Sequence, residues 1–168
     1  MTLGVRIVPF IEKHVDAGCE IYNHYIVNST STFTTEKLSR DEFRSMVIRE
    51  NPIYGTFAAE DAVDMSLLGY AYLGPYKDRQ AYLPTAEVSV YLKPECTGRG
   101  IGKSLLDKLH VYARTQKFHA LMALICDESA ASIKLFSRAE YEKVAHLKEV
   151  GLKFGRRLDV LFFELILD

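Results

Sequence analysis

Gly98, Gly100 and Gly102 alternate through the run Gly98-Arg99-Gly100-Ile101-Gly102, which joins a β-like segment to an amphipathic helical one. Glycines at alternate positions let backbone N–H groups come close to a ligand, and the start of the following helix carries unpaired N–H groups with partial positive charge. A pyrophosphate suits that chemistry, but tight structural turns also collect glycines, so the run alone leaves both readings open. Before it, Thr85 to Leu92 reads as a strand stopped by Pro94. After it, Ile101, Leu105, Leu109 and Tyr112 recur on one face of a helix. The placement excludes two other phosphate-binding frameworks. A dinucleotide fold puts its glycine turn after the first strand, and Val5 to Pro9 has none. A P-loop needs a glycine where Thr97 stands, although Gly102-Lys103-Ser104 has the right ending.

Elsewhere the pattern predicts alternating strands and helices. Val5 to Val8 alternates at period two, and Val15, Cys19, Tyr22 and Ile26 imply a helix from about His14 to Ile26. Ser39-Arg40-Asp41-Glu42 is a capping box that starts a second helix near Arg40; Phe43, Met46 and Val47 form its stripe, and it should end before Pro52. Tyr54 to Ala59 and Ser66 to Leu73 form a hairpin separated by the polar Glu60, Asp61 and Asp64, followed by the charged loop Gly74 to Arg79. Ala120 to Ile125 is a continuous apolar run, as in a strand covered on both faces. A helix over Ala130 to Arg138 and two strands, Lys143 to Val150 and Asp159 to Leu167, complete the chain. We find no internal repeat, low-complexity segment or linker, and residues 1–168 read as a single domain.

Composition limits the partners. The 168 residues carry 21 Lys plus Arg against 22 Asp plus Glu, a formal charge of −1, so no global basic field argues for nucleic acid or an anionic membrane. Three cysteines, Cys19, Cys96 and Cys126, without CxxC spacing or clustered histidines, indicate neither a zinc site nor a disulfide framework. The N-terminal residues lack a signal-peptide pattern, and no apolar run is long enough to span a bilayer. The expectation is a soluble, cytoplasmic protein.

The chain resembles the Gcn5-related N-acetyltransferase superfamily and, within it, the phosphinothricin and methionine sulfoximine acetyltransferase group. The residues that carry the resemblance are Ile21-Tyr22-Asn23-His24-Tyr25, Leu68 to Tyr72 with Gly74-Pro75-Tyr76-Lys77, Glu87 to Leu92, and Val150 to Asp159. They span nearly the whole chain. The resemblance implies an α/β (α+β) acyl-CoA N-acyltransferase fold: a mixed twisted sheet splayed after the fourth strand, with helices on both faces. It implies acetyl-CoA as cosubstrate, no metal, and a homodimer. It also implies transfer of acetyl to the α-amino group of a small amino acid by direct attack, without a covalent intermediate.

The resemblance assigns backbone contacts with the thioester and pantetheine arm to Val90, Tyr91 and Leu92, and the pyrophosphate cradle to Gly98, Arg99, Gly100, Ile101, Gly102 and Lys103. Glu87 matches a glutamate the family keeps, and it is the expected base, since an amine must lose its proton before it attacks a thioester. Lys77, Asp78, Arg79, Glu87, Val88 and Ser89 form the expected acceptor side, with Lys77 and Arg79 suited to a carboxylate or phosphinate. Lys153, Arg156 and Arg157 lie in a stretch the family uses near the active site and the dimer contact, although a solvated charge run is the commoner meaning of such a cluster.

Several positions depart from the family pattern. Thr97 replaces Gln or Arg, Ser129 an Asn that bonds the cofactor arm, Phe136 a His, Glu140-Tyr141 a Gly-Phe pair, and Arg157 an aromatic. Tyr91 and Tyr141 are weak candidates for the acid that protonates the leaving thiolate, packing being the commoner role of a tyrosine. Cys96 lacks the partners of a nucleophile, and His24 and His110 read as packed or solvated. Two alternatives stand beside the amino-acid acceptor: another amine (a polyamine, an aminoglycoside or a protein N-terminus), and a degenerate acetyl-CoA sensor.

Overall fold

A computed structural model describes residues 4–167. In chain order the elements are β1 (Val5–Pro9), α1 (Val15–Asn28), α2 (Arg40–Val47), β2 (Thr56–Asp61), β3 (Leu67–Pro75), β4 (Thr85–Leu92), α3 (Ile101–Thr115), β5 (Ala120–Cys126), α4 (Ala130–Arg138), β6 (Glu142–Lys153) and β7 (Arg156–Ile166). The strands form one seven-stranded sheet in the order β1-β2-β3-β4-β5-β7-β6. All neighbours are antiparallel except β4 and β5, which run parallel. Alternation along the central strands sends one set of side chains to each face. Ala71, Leu73, Ala86 and Val88 pack with Ile101, Leu105 and Leu109 of α3, while Ala58, Tyr70 and Tyr72 pack with α1 and α2. Helices therefore cover both faces.

The parallel pair opens the sheet. β3 and β4 stay in register from Gly69↔Leu92 to Pro75↔Ala86, but β4 meets β5 only at Thr85↔Ala120, Ala86↔Leu121 and Glu87↔Met122. Beyond Glu87 the β5-facing edge of β4 has no strand partner among the described residues, which is the expected splay after the fourth strand.

Local signals set most boundaries. The capping box at α2 is complete: the Glu42 N–H donates to Ser39 Oγ at 3.3 Å and the Ser39 N–H to Glu42 Oε2 at 2.8 Å. That helix ends at Val47, before Pro52 as expected, where the Thr56 hydroxyl donates to the Val47 carbonyl at 2.6 Å and Ile48 turns extended. β2 starts at Thr56 rather than Tyr54 and runs through Glu60 and Asp61, which the sequence pattern assigned to the connection. Glu60 is only 2% exposed because the His14 and Lys13 side chains meet its carboxylate at 2.7 and 2.6 Å. The last hairpin is longer than expected: β6 reaches Lys153 and β7 begins at Arg156, with Phe154 and Gly155 at φ of 53° and 70° making the turn.

α4 ends in a left-handed cap. Glu140 has φ of 67°, its N–H donates to the Ser137 carbonyl at 3.3 Å, and the Tyr141 N–H donates to the Phe136 carbonyl at 3.1 Å. This is a Schellman arrangement, and the Phe136 and Tyr141 rings complete it with centroids 5.0 Å apart.

Candidate active site

The glycine run forms an open cradle at the mouth of the splay. Gly98 and Gly100 have φ of 74° and 80°, in the left-handed region, and nothing lies within 4 Å of where a Gly98 side chain would begin. Backbone conformation, not crowding, calls for glycine there. Gly100 is the N-cap of α3, and no side chain caps the first turn, so its N–H groups are open to a ligand. Ile101 is fully buried and pins the turn to the core; a Gly102 side chain would begin 3.1 Å from Leu135 Cδ2 on α4. Ile101 and Gly102 thus have only backbone to offer a ligand. The exposed Arg99 and Lys103 flank the turn, with Lys103 Nζ held 2.6 Å from Asp107 Oδ2. An uncapped helix start, left-handed glycines and two cations fit a pyrophosphate-bearing cosubstrate.

The strand leading into the turn is two-sided. Val88, Val90 and Leu92 point to the α3 face, where Val88 is 3% exposed and Val90 and Leu92 pack on the core, so toward the splay they present backbone. Glu87, Ser89 and Tyr91 point to the α1–α2 face. The Tyr91 ring meets those of Tyr22, Tyr25 and Tyr70 with centroids 5.0, 5.7 and 5.8 Å away. Burial pushes the Tyr91 hydroxyl far up, and that of Tyr141 as well, whose oxygen lies 3.1 Å from His110 Nε2. Both tyrosines are packed aromatics here.

Glu87 occupies the last position at which β4 still meets β5. It is half-buried, and desolvation raises its carboxyl above the usual 4.5, with the Lys77 charge acting the other way. Raising a carboxylate's proton affinity by burial makes it a stronger base. Lys77, Asp78 and Arg79 are exposed in the loop after β3, Lys77 lying over the Tyr76 ring at 5.1 Å from its centroid. Of these three, Lys77 is the one whose charge reaches Glu87.

On the other side of the splay, Ser129 is the N-cap of α4, and its side chain makes no capping bond. It lines a cleft of about 480 Å³ with residues 28–31 at the end of α1, Phe154 and Arg156. Arg156 forms a bidentate pair with Glu128 at 2.6 and 3.0 Å, while Arg157 is exposed with a long contact to Glu149 at 3.7 Å. Lys153 corrects the reading of this cluster as a solvated run. It is 4% exposed, and its ammonium donates to the Ser29 and Thr32 carbonyls at 2.8 and 2.7 Å, fastening the segment after α1 beside the cleft.

The remaining candidates have structural partners. Cys19, Cys96 and Cys126 are buried and unpaired. Thr97 is exposed, and its hydroxyl donates to the Pro94 carbonyl at 2.9 Å; Phe136 is buried. His24 is exposed beside Asn28. Asp127, His146 and Asp159 bring ligand atoms within 4.8 Å of one another, but Asp159 accepts from His146 Nε2 at 2.6 Å and from the Glu149 N–H at 2.8 Å. That cluster braces the irregular stretch of β6 between Leu147 and Gly151. No helix among the described residues is long and apolar enough to cross a membrane.

Sequence reasoning missed two residues on the face that Glu87 and Ser89 share. Tyr72 on β3 lies opposite Ser89, and Arg49 projects from the α2–β2 connection over Gly74. Both carry ordinary local signals, an aromatic in a strand and an arginine in a loop, and only the fold brings them together beside Gly74.

Comparison with known proteins gives the family. The model of the acetyltransferase (GNAT) domain family matches residues 12–162. Phosphinothricin N-acetyltransferase of Streptomyces coelicolor is 34% identical over 97% of this chain and 96% of its own. L-methionine sulfoximine/L-methionine sulfone acetyltransferase of Pseudomonas aeruginosa is 34% identical over 88% of this chain and 86% of its own. The structure of a phosphinothricin acetyltransferase from Sinorhizobium meliloti in complex with acetyl-CoA superposes with a TM-score of 0.91 at 28% identity, over 98% of this chain and 89% of that one. With its splayed strand and uncapped glycine turn, this chain belongs to the GNAT acetyltransferase family and is an acetyl-CoA-dependent N-acetyltransferase.

Proposed function

We propose that the acceptor is the α-amino group of a small amino acid, of the phosphinothricin, methionine sulfoximine or methionine sulfone type. The observation that carries the reading is Glu87, a half-buried carboxylate with raised proton affinity at the point where the sheet opens. Bound acetyl-CoA supplies the activated acetyl thioester. Glu87 takes the proton of the acceptor ammonium, directly or through one water, and leaves a neutral amine. Its attack on the thioester carbon forms the amide as the C–S bond breaks and coenzyme A departs as the thiolate, which the second amine proton neutralises. The free N–H groups of β4 beyond Glu87 stabilise the negative charge that develops on the acetyl oxygen, and the turn and Ser129 hold the rest of the cosubstrate. Holding amine and thioester together removes much of the entropic barrier. The named activities of the Streptomyces and Pseudomonas relatives support the amino-acid acceptor.

The test is thiol release from acetyl-CoA with a panel of acceptors: phosphinothricin, methionine sulfoximine, methionine sulfone, spermidine, an aminoglycoside and a peptide N-terminus. Preferential turnover of the amino acids supports the reading, and turnover confined to another class transfers the function to that amine. Cofactor binding with no turnover of any amine indicates a sensor. We propose a homodimer as well, since Val144, Val150, Leu152 and Phe154 on the last hairpin are half or more exposed. Light scattering in solution tests it.

A further inference from the structure

Arg49 brings a buried donor with no acceptor to the acceptor face. Its Nε is closed off from solvent and has no hydrogen-bond partner among the described residues. A guanidinium is permanently charged and only donates, so a shielded, unpaired N–H on it is unfavourable until an anion fills the fork. Its Nη2 lies 3.6 Å from the point where a Gly74 side chain would begin, and Tyr72 Cε2 lies 3.9 Å from the same point. Gly74 stands directly opposite Glu87 in the β3–β4 register, and Tyr72 opposite Ser89. Opposite residues of an antiparallel pair project to one face with Cα atoms roughly 4.5–5.5 Å apart. Arg49, Tyr72, Glu87 and Ser89 therefore share one face, and the lack of a side chain at Gly74 leaves the gap between the cation and the carboxylate open. Burial raises the Tyr72 pKa, with the Glu87 charge adding to that rise and the Arg49 charge opposing it. A cation and a carboxylate on one face complement a zwitterion.

We propose that Arg49 binds the α-carboxylate of the acceptor, orienting its amine toward Glu87. Resting on the amino-acid reading above, this names the group that would select an amino acid over a simple amine. Lys77 and Arg79 are exposed and supply attraction at longer range, while the planar fork of Arg49 supplies directed hydrogen bonds.

The experiment takes the best amino-acid acceptor of the wild-type enzyme and its carboxamide, which keeps amine and side chain but loses the anion. kcat/KM for both, and KM for acetyl-CoA, are measured for wild type, Arg49→Gln and Arg49→Lys. The expected result is a wild-type preference for the free acid that falls about 10- to 100-fold in Arg49→Gln through KM, with carboxamide and acetyl-CoA parameters within about twofold of wild type. Arg49→Lys falls between, and it carries the test by itself if Arg49→Gln does not fold. Equal loss on acid and carboxamide, no loss on either, or a wild type indifferent to the carboxylate overturns the role of Arg49 and leaves amino-acid acetylation standing. A wild type that acetylates other amines but no amino acid overturns both.

Discussion

The Tyr25 hydroxyl donates a 2.7 Å hydrogen bond to the carbonyl of Leu92, tying α1 to the last residue of the strand that opens the sheet. Leu92 is where β4 leaves the sheet for the glycine turn, so this bond fixes the end of the strand beside that turn. Tyr25→Phe keeps the ring and removes the donor. We expect a loss of about 1 kcal/mol, a Tm lower by roughly 2–4 °C, and a several-fold higher KM for acetyl-CoA with kcat little changed. Thermal melts and steady-state kinetics check it, and an unchanged KM for acetyl-CoA would show that the bond serves stability alone.

Glu87 predicts opposite signs for activity and stability. Burial raises its pKa above the ordinary 4.5, so the folded state favours the protonated form. Its contribution to stability is fully present below pH 4.5 and is lost as pH rises through the folded value. Glu87→Gln should therefore raise Tm at pH 7 while lowering kcat by about 100-fold or more, and it should abolish the acidic limb of the kcat/KM profile. A variant that keeps that limb would mean another group is the base.

What was legible in the sequence was local. The capping box at Ser39, the glycine turn and the α3 stripe each lie within one element, and the structure contains them as the residue pattern implies. Glu60 reads as a loop residue and Lys153 as part of a charge run because their partners are remote: His14 lies 46 positions from Glu60, and Thr32 lies 121 from Lys153. A charged residue reads as exposed until the group that pairs with it is known. Arg49 is hidden for the same reason, since only the fold brings its guanidinium over Gly74, 25 positions further on.

Glu140 carries strain that the sequence did foreshadow. A non-glycine residue in the left-handed conformation costs about 1–2 kcal/mol, and Glu140 adopts it to close the α4 cap. Glu140→Gly relieves that strain against the greater freedom of glycine in the unfolded chain, for an expected net gain of about 0.5–1 kcal/mol and a Tm higher by roughly 1–4 °C. A calorimetric scan at equal cofactor concentration measures it, and a lower Tm would mean that the Glu140 side chain has a compensating contact.

The buried carboxylate of Glu60 should govern acid stability. Lys13 and then His14 hold its pKa below 4.5, outweighing the desolvation that acts the other way. Its stability contribution is fully present above pH 4.5 and disappears as pH falls through the lower folded value. Glu60→Gln keeps the shape but deprives Lys13 and His14 of their anion. The expected cost at pH 7 is about 2 kcal/mol, a Tm drop of roughly 4–8 °C. As pH falls below 4.5 the wild type loses this advantage and the two melting curves converge. A gap that stays constant from pH 7 to pH 3 would show that the cost arises from packing around the 2%-exposed side chain rather than from its charge.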